Sequence, residues 1–311
     1  MSLSESRVAA DRTLKYYKMH GLGNDYVYMV EGENDLPSDL SGLARAVSER
    51  HCGIGGDGLV IVGRRGDGIL TMRMWNADGT EAQMCGNASR CVALLGWLKG
   101  LVDTPDFSLY TKAGIKGLHL NMAADGSVES VTVDMGLPVL DARHIPVDRD
   151  AHDGIIEFDA DIFDRHLRLT AVGMGNPHGI VFLDHSPTDY EVLTLGPELE
   201  RHPAWPEKAN IEFARVISRS AIEMRVWERG TGETMACGTG ACATAVAAML
   251  RGMTDRRVSL RLRGGELTIE WREDNGHVMM TGPATLVASG RFHTDSISAN
   301  PFIRQYDTAE A

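Results

Sequence analysis

Cys85 and Cys237 each stand directly before a glycine, 152 positions apart. A pair of thiols can do what one cannot. Inverting a stereocentre by proton transfer requires that a proton leave one face and another arrive on the opposite face. A thiolate on one side serves as base while a thiol opposite serves as acid, and the reverse reaction exchanges their roles. That chemistry needs no cofactor, and no lysine stands in a pyridoxal-phosphate motif.

The same offset recurs elsewhere. Gly21, Gly23 and Asn24 match Gly173, Gly175 and Asn176, and Arg73, Trp75 and Glu81 match Arg225, Trp227 and Glu233. A period this long is not that of a solenoid. It reads as one domain duplicated within the chain, each copy keeping one thiol in the same structural place.

The elements that hold these thiols read as strands around two buried helices. Residues 14–30 predict strand–turn–strand, and 38–50 a helix capped by Ser38. Strands follow at 59–63 and 69–75, then a helix over 87–99, then strands at 107–111, 115–121 and 128–134. The second half repeats the order: turn and strand at 173–183, strands at 210–217 and 221–227, a helix over 238–250, and strands at 258–263, 266–271 and 277–281. Asp125-Gly126 and Asn275-Gly276 stand as hairpin turns in corresponding places. A boundary between domains falls near 135–145.

Each cysteine therefore opens a helix. Free N–H groups and a partial positive charge there lower a thiol's pKa and can hold a carboxylate. Gly86 and Gly238 let a ligand approach the backbone closely, and Asn87 and Thr239 add side-chain donors. Enolate charge would develop against those same N–H groups. Cys52, Cys91 and Cys242 read instead as small apolar core residues. The spacings Cys85-x5-Cys91 and Cys237-x4-Cys242 do not fit a zinc knuckle, so no metal is expected.

Other polar residues carry two readings. Asn24 and Asn176 are ordinary turn formers, yet their duplicated position favours a reach into the cleft. Glu228 and Arg229 stand where the first copy has Asn76 and Ala77, a divergence that an asymmetric ligand would require. Arg229 could grip a carboxylate with two hydrogen bonds; a solvated surface pair is the plainer alternative. His178 is either a turn residue or a group that orients the ligand. Gly53-x-Gly55-x-x-Gly58 imitates a dinucleotide fingerprint, but a strand follows where a helix should open.

Bulk properties agree. In 311 residues, 43% are hydrophobic and 24% charged, which is globular. A net charge of −12 argues against a nucleic-acid partner. Residues 1–13 show no apolar signal segment, and the apolar run 241–250 is half a membrane span. Five cysteines, an odd number, suit a reducing cytoplasm better than a disulfide framework.

At these residues the chain resembles the diaminopimelate epimerases, cofactor-independent enzymes of lysine and peptidoglycan biosynthesis. The matching stretches are MHGLGNDYV (19–27), GIGGDG (53–58), MWNADGTEAQMCGNASRC (74–91), GMGNPH (173–178), ANIEF (209–213) and VWERGTGETMACGTGAC (226–242). The resemblance implies an α/β (α+β) fold of two pseudo-symmetric domains, each of mostly antiparallel strands wrapped around a central helix, with the active site in the cleft between them. It implies domains over 14–135 plus about 284–303 and over 136–283, after a disordered extension at 1–13.

It also implies epimerisation of LL-2,6-diaminopimelate to the meso form, with Cys85 and Cys237 as the acid–base pair and His178 and Glu228 as catalytic supports. Gly86, Asn87, Gly238 and Thr239 would hold the reacting carboxylate. Asn24, Asn76, Asn176, Asn210, Glu228 and Arg229 would bind the rest of the amino-acid substrate. Three departures stand out. Gly58 replaces a glutamine of some relatives, Ala88 replaces a glycine, and Ala288 lies near a tyrosine used by dimeric relatives, so a homodimer would need another contact. The competing readings are a two-thiol racemase acting on proline, hydroxyproline or histidine, a non-catalytic amino-acid binder, and a nucleotide-dependent oxidoreductase.

Overall fold

The computed structural model describes residues 13–150 and 154–294. The first half opens with β1 (Thr13–Gly21), β2 (Asn24–Val30), α1 (Leu40–Ser48), β3 (Gly58–Arg64), β4 (Leu70–Asn76) and the short β5 (Glu81–Ala82). The long helix α2 (Gly86–Leu98) comes next, then β6 (Asp106–Thr111), β7 (Gly114–Met122) and β8 (Val128–Gly136). The second half begins with β9 (Ile156–Ile162), β10 (Arg165–Gly173) and β11 (Pro177–Leu183). A wide-turned helical segment (Tyr190–Leu195), α3 (Gly196–Glu200), β12 (Asn210–Ser218), β13 (Ala221–Glu228) and β14 (Gly232–Glu233) lead to the second long helix, α4 (Gly238–Leu250). The chain closes with β15 (Arg257–Leu262), β16 (Gly265–Trp271), β17 (Val278–Gly282) and β18 (Thr285–His293).

Alternation makes these strands two-sided. In β2, Tyr26, Tyr28 and Val30 enter the core shared with α2 and α4, while Val27 and Met29 pack outward with Leu43 and Val47 of α1. In β12, Ala214 faces the inner core, and Ile211 and Phe213 face an outer cluster with Trp205 and Leu199. A period of two with both faces covered is what a sheet sandwiched between helices demands. Each half is thus a sheet curled around one buried helix.

Strand register preserves the duplication. β2 runs parallel to β3 with Val27 opposite Leu59, and β11 runs parallel to β12 with Gly179 opposite Ile211. The second pair is the first moved by the same 152 positions. Gly23 and Gly175 both take positive φ, +84° and +90°, a region that disfavours any residue with a Cβ. Both turns deliver an asparagine immediately afterwards.

The halves are joined at two edges. β17 pairs antiparallel with β8, and β18 pairs antiparallel with β1, with Leu14 opposite Phe292. The last described strand therefore lies on the first half; residues 295–303, expected to go with it, fall outside the described residues. So does the expected extension, except for Thr13, which already belongs to β1.

Local details correct the sequence reading. Asp39, not Ser38, caps α1, its carboxylate accepting from Gly42 N at 2.8 Å. β9 and β10 fill a stretch to which the sequence reading assigned no element, with Ile156, Phe158 and Ala160 alternating inward as a strand requires. Cys52 is exposed in the loop after α1 and is no core residue.

Candidate active site

Cys85 and Cys237 are the N-cap residues of α2 and α4, both in extended conformation. Each carbonyl accepts the first helical bond at the same length, Ser89 N to Cys85 O and Ala241 N to Cys237 O, both 2.9 Å. The two helix N-termini meet. Asn87 Nδ2 donates to Ala236 O at 3.0 Å, bridging the first turn of α2 to the residue before Cys237. Both glycines rest on one side chain: a Cβ on Gly86 would lie 2.9 Å from Met280 Cε, and one on Gly238 3.1 Å from Met280 Sδ.

Around Cys85 the partners come from the first turn and the GIGGDG loop. Its thiol donates to Asn24 Oδ1 at 3.4 Å, and Asn24 Nδ2 donates to Asp57 Oδ2 at 2.8 Å. Gly58, where a glutamine was the comparison, has no room for a side chain. A Cβ there would meet Trp75 O at 2.0 Å and the Tyr26 ring at 2.8 Å. Asn76 turns away to Thr80, donating to its Oγ1 at 3.0 Å.

Around Cys237 the surroundings are more acidic. The thiol lies 3.4 Å from Thr239 Oγ1. Glu228 accepts a hydrogen bond from the Thr234 hydroxyl. His178 is fully buried, its Nδ1 2.7 Å from Glu212 Oε1 and its Nε2 2.9 Å from Asn176 Oδ1. It reaches the site by fixing Asn176. Asn210 ties two backbone groups, donating to Pro177 O at 3.0 Å and accepting from Arg229 N at 2.9 Å. Arg229 is exposed, donates to Glu207 O at 3.0 Å, and shares with Asn176 and Gly175 the wall of a depression of about 410 Å³.

Thiol electrostatics correct a second expectation. The helix N-termini were expected to lower both thiol pKa values, but burial dominates and raises them. At Cys85 the N–H groups of Asn87 and Ala88 oppose that rise, yet the thiol stays above its ordinary value. Cys237 is pushed well above it by burial and then by the Glu228 and Glu212 charges, against the Thr239 hydroxyl and Gly240 N–H. Burial likewise raises Glu228. Two dipole-weight N–H contacts do not outweigh the loss of water.

Sequence reasoning missed Glu212, Asp57, Tyr26 and Met280. Glu212 was findable, because it follows Asn210 by two in a strand and so shares its inward face. Tyr26 was findable too, since the 152-residue offset makes it the counterpart of His178. Glu212 depends on a glycine. A Cβ on Gly240 would lie 2.5 Å from Glu212 Oε1 and 3.3 Å from Cys237 Sγ. Gly240→Ala is expected to cost about 1–3 kcal/mol by overpacking and to displace the carboxylate from His178. Thermal melts and turnover of the same preparation check this, with both expected to fall.

Solved structures of similar fold include a racemase and an epimerase. A probable proline racemase from Agrobacterium radiobacter has TM-score 0.67 at 16% identity, over 93% of this chain and 95% of that one. A hydroxyproline epimerase from Agrobacterium vitis has TM-score 0.63 at 17% identity, over 90% and 91%. The strand order and the two buried helices thus place this chain in the fold that those structures share. The family model described as diaminopimelate epimerase matches residues 16–140 and 170–287. The diaminopimelate epimerase of Acetivibrio thermocellus is 44% identical over 89% of this chain and 98% of its own length; that of Agathobacter rectalis is 45% identical over 89% and 98%. The chain belongs to the diaminopimelate epimerase family, and is an isomerase. Among the described residues, no helix is long and apolar enough to cross a membrane.

Proposed function

We propose that this protein interconverts LL-2,6-diaminopimelate and its meso form by two-base proton transfer between Cys85 and Cys237. The observation that carries the reading is the meeting of two thiol-capped helix N-termini over Met280. The substrate's reacting carboxylate would lie on the N–H groups that follow the two cysteines, where two helices favour negative charge. One thiolate removes the α-proton; the C–H electron pair remains on the carbon, spread into that carboxylate and met by the same donors. The opposite thiol then delivers its proton to the other face, leaving the sulfur charges exchanged. In the free protein burial raises both thiols, and the Glu228 charge adds to the rise of each, with Glu212 adding further at Cys237.

Asymmetry supports a long zwitterionic substrate. Asn176 and Arg229 line the depression beside the site, and they suit a distal carboxylate. Asn87 Oδ1 is buried with no hydrogen-bond partner among the described residues, and an acceptor there suits the α-ammonium. A biosynthetic role of this kind fits a cytoplasmic location. The test is incubation with LL-diaminopimelate in D₂O with no added cofactor. Meso product carrying one solvent deuterium at the inverted carbon is expected. Inertness toward diaminopimelate together with brisk α-deuteration of proline or hydroxyproline would move the assignment to a smaller substrate.

A further inference from the structure

Arg90, in the second turn of α2, is fully buried at 0% exposure. Its Nε donates to Pro283 O at 3.0 Å and its Nη1 lies 3.8 Å from Met280 Sδ, while Nη2 has no hydrogen-bond partner among the described residues. None of these neighbours is a carboxylate. A guanidinium held in a core without an anion is strongly disfavoured, so its position calls for a compensating use.

Its position indicates that use. Helical side chains lean toward the N-terminus, and Arg90 does so. A Cβ on Gly21 would lie 2.8 Å from Arg90 Nη2 and 3.0 Å from Asn87 O. The charge therefore sits against the first turn of α2, beside the helix end that Cys85 caps. The ionisable groups around Cys85 include Tyr26 and Tyr28 of β2, Cys91 and Arg90 of α2, Glu228 of β13, and Asp57, which Asn24 links to the thiol. Arg90 is the cation in that set; the others add negative charge or none. Met280, which Arg90 touches, is the shared floor under Gly86 and Gly238.

We propose that Arg90 is the positioning residue of the thiol pair, a buried cation that favours the thiolate of Cys85 and, through Met280, holds the two helix N-termini level. The assignment rests on the two-thiol reading above for its catalytic meaning, but its physical content can be measured without turnover. It also gives Gly21 a purpose, since any larger residue would push the guanidinium from its seat.

The experiment is pH-dependent alkylation by iodoacetamide, with the Cys85 peptide followed by mass spectrometry so that exposed Cys52 does not interfere. Full-length wild type, Arg90→Met and Arg90→Lys are compared, with folding checked by circular dichroism. Arg90→Met is expected to move the Cys85 alkylation midpoint up by about half a pH unit, roughly a threefold slower reaction below the midpoint. Arg90→Lys is expected to restore most of that shift. An unchanged midpoint in folded Arg90→Met overturns the proposal. If Arg90→Met does not fold, Arg90→Gln is read in the same way; failure of both neutral variants to fold makes the residue purely structural and also overturns it. A moved midpoint in a protein that fails to epimerise diaminopimelate would sink the functional reading and leave this one standing. Epimerisation with an unmoved midpoint would do the reverse.

Discussion

Cys237→Ala is expected to lose epimerisation of diaminopimelate by about 10²–10⁴-fold, the usual worth of a positioned acid or base, with substrate affinity within about tenfold of wild type. The asymmetry between rate and binding is the diagnostic part. The N–H donors of Gly238 and Thr239 are backbone groups and survive the change, as do Asn176 and Arg229, so the ligand keeps its anchors. Only the proton carrier goes. Cys85→Ala is expected to match it, because each turnover uses both sulfurs. Calorimetric affinity beside chiral product analysis makes the comparison, and turnover above a tenth of wild type in either variant would refute two-base transfer. The pH profile follows from the same electrostatics. Burial raises both thiols, so the thiolate is a minority form at neutral pH. The rate is expected to climb about tenfold per pH unit below the first thiol midpoint, above the ordinary thiol value of about 8.5, and to fall once both sulfurs are ionised.

Glu212→Ala is expected to be the most destabilising single change near the site. Glu212 and His178 are both at 0% exposure, and their contact is 2.7 Å. Removing one partner of a buried pair of this kind typically costs about 3–5 kcal/mol, because the other is stranded without water. In a chain of this size the melting temperature should fall by on the order of 10 °C. Glu212→Gln keeps the shape and one acceptor oxygen, and is expected to retain most of the stability. Equal loss in both variants would mean that bulk, not pairing, matters at this position. Because His178 in turn holds Asn176, Glu212→Ala that still folds should bind substrate more weakly.

Much of this was legible from local patterns. The Cys-Gly junctions predicted helix starts because small residues and an apolar run followed each, and both cysteines do cap their helices. The duplicated offset foretold the two-domain fold, since register is a property of spacing. What escaped depends on partners distant in sequence. Arg90 is a single charged residue within an apolar helix sequence, and its contacts, Pro283 and Met280, lie about 190 positions away. The thiol pKa direction failed for a related reason: a helix terminus is visible in sequence, whereas the depth at which it is buried is not. Ser38 and Asp39 compete as caps one residue apart, and composition cannot choose between two good capping side chains. β9 carries a legible alternation, with Glu157, Asp159 and Asp161 between the inward Ile156, Phe158 and Ala160, whereas β10 loses that signal because Leu169 to Gly173 are buried on both faces.

The stitching of β17 to β8 and of β18 to β1 makes each half depend on the other for a closed sheet. Expressed alone, a fragment ending before β9 would expose two bare strand edges, an invitation to aggregate.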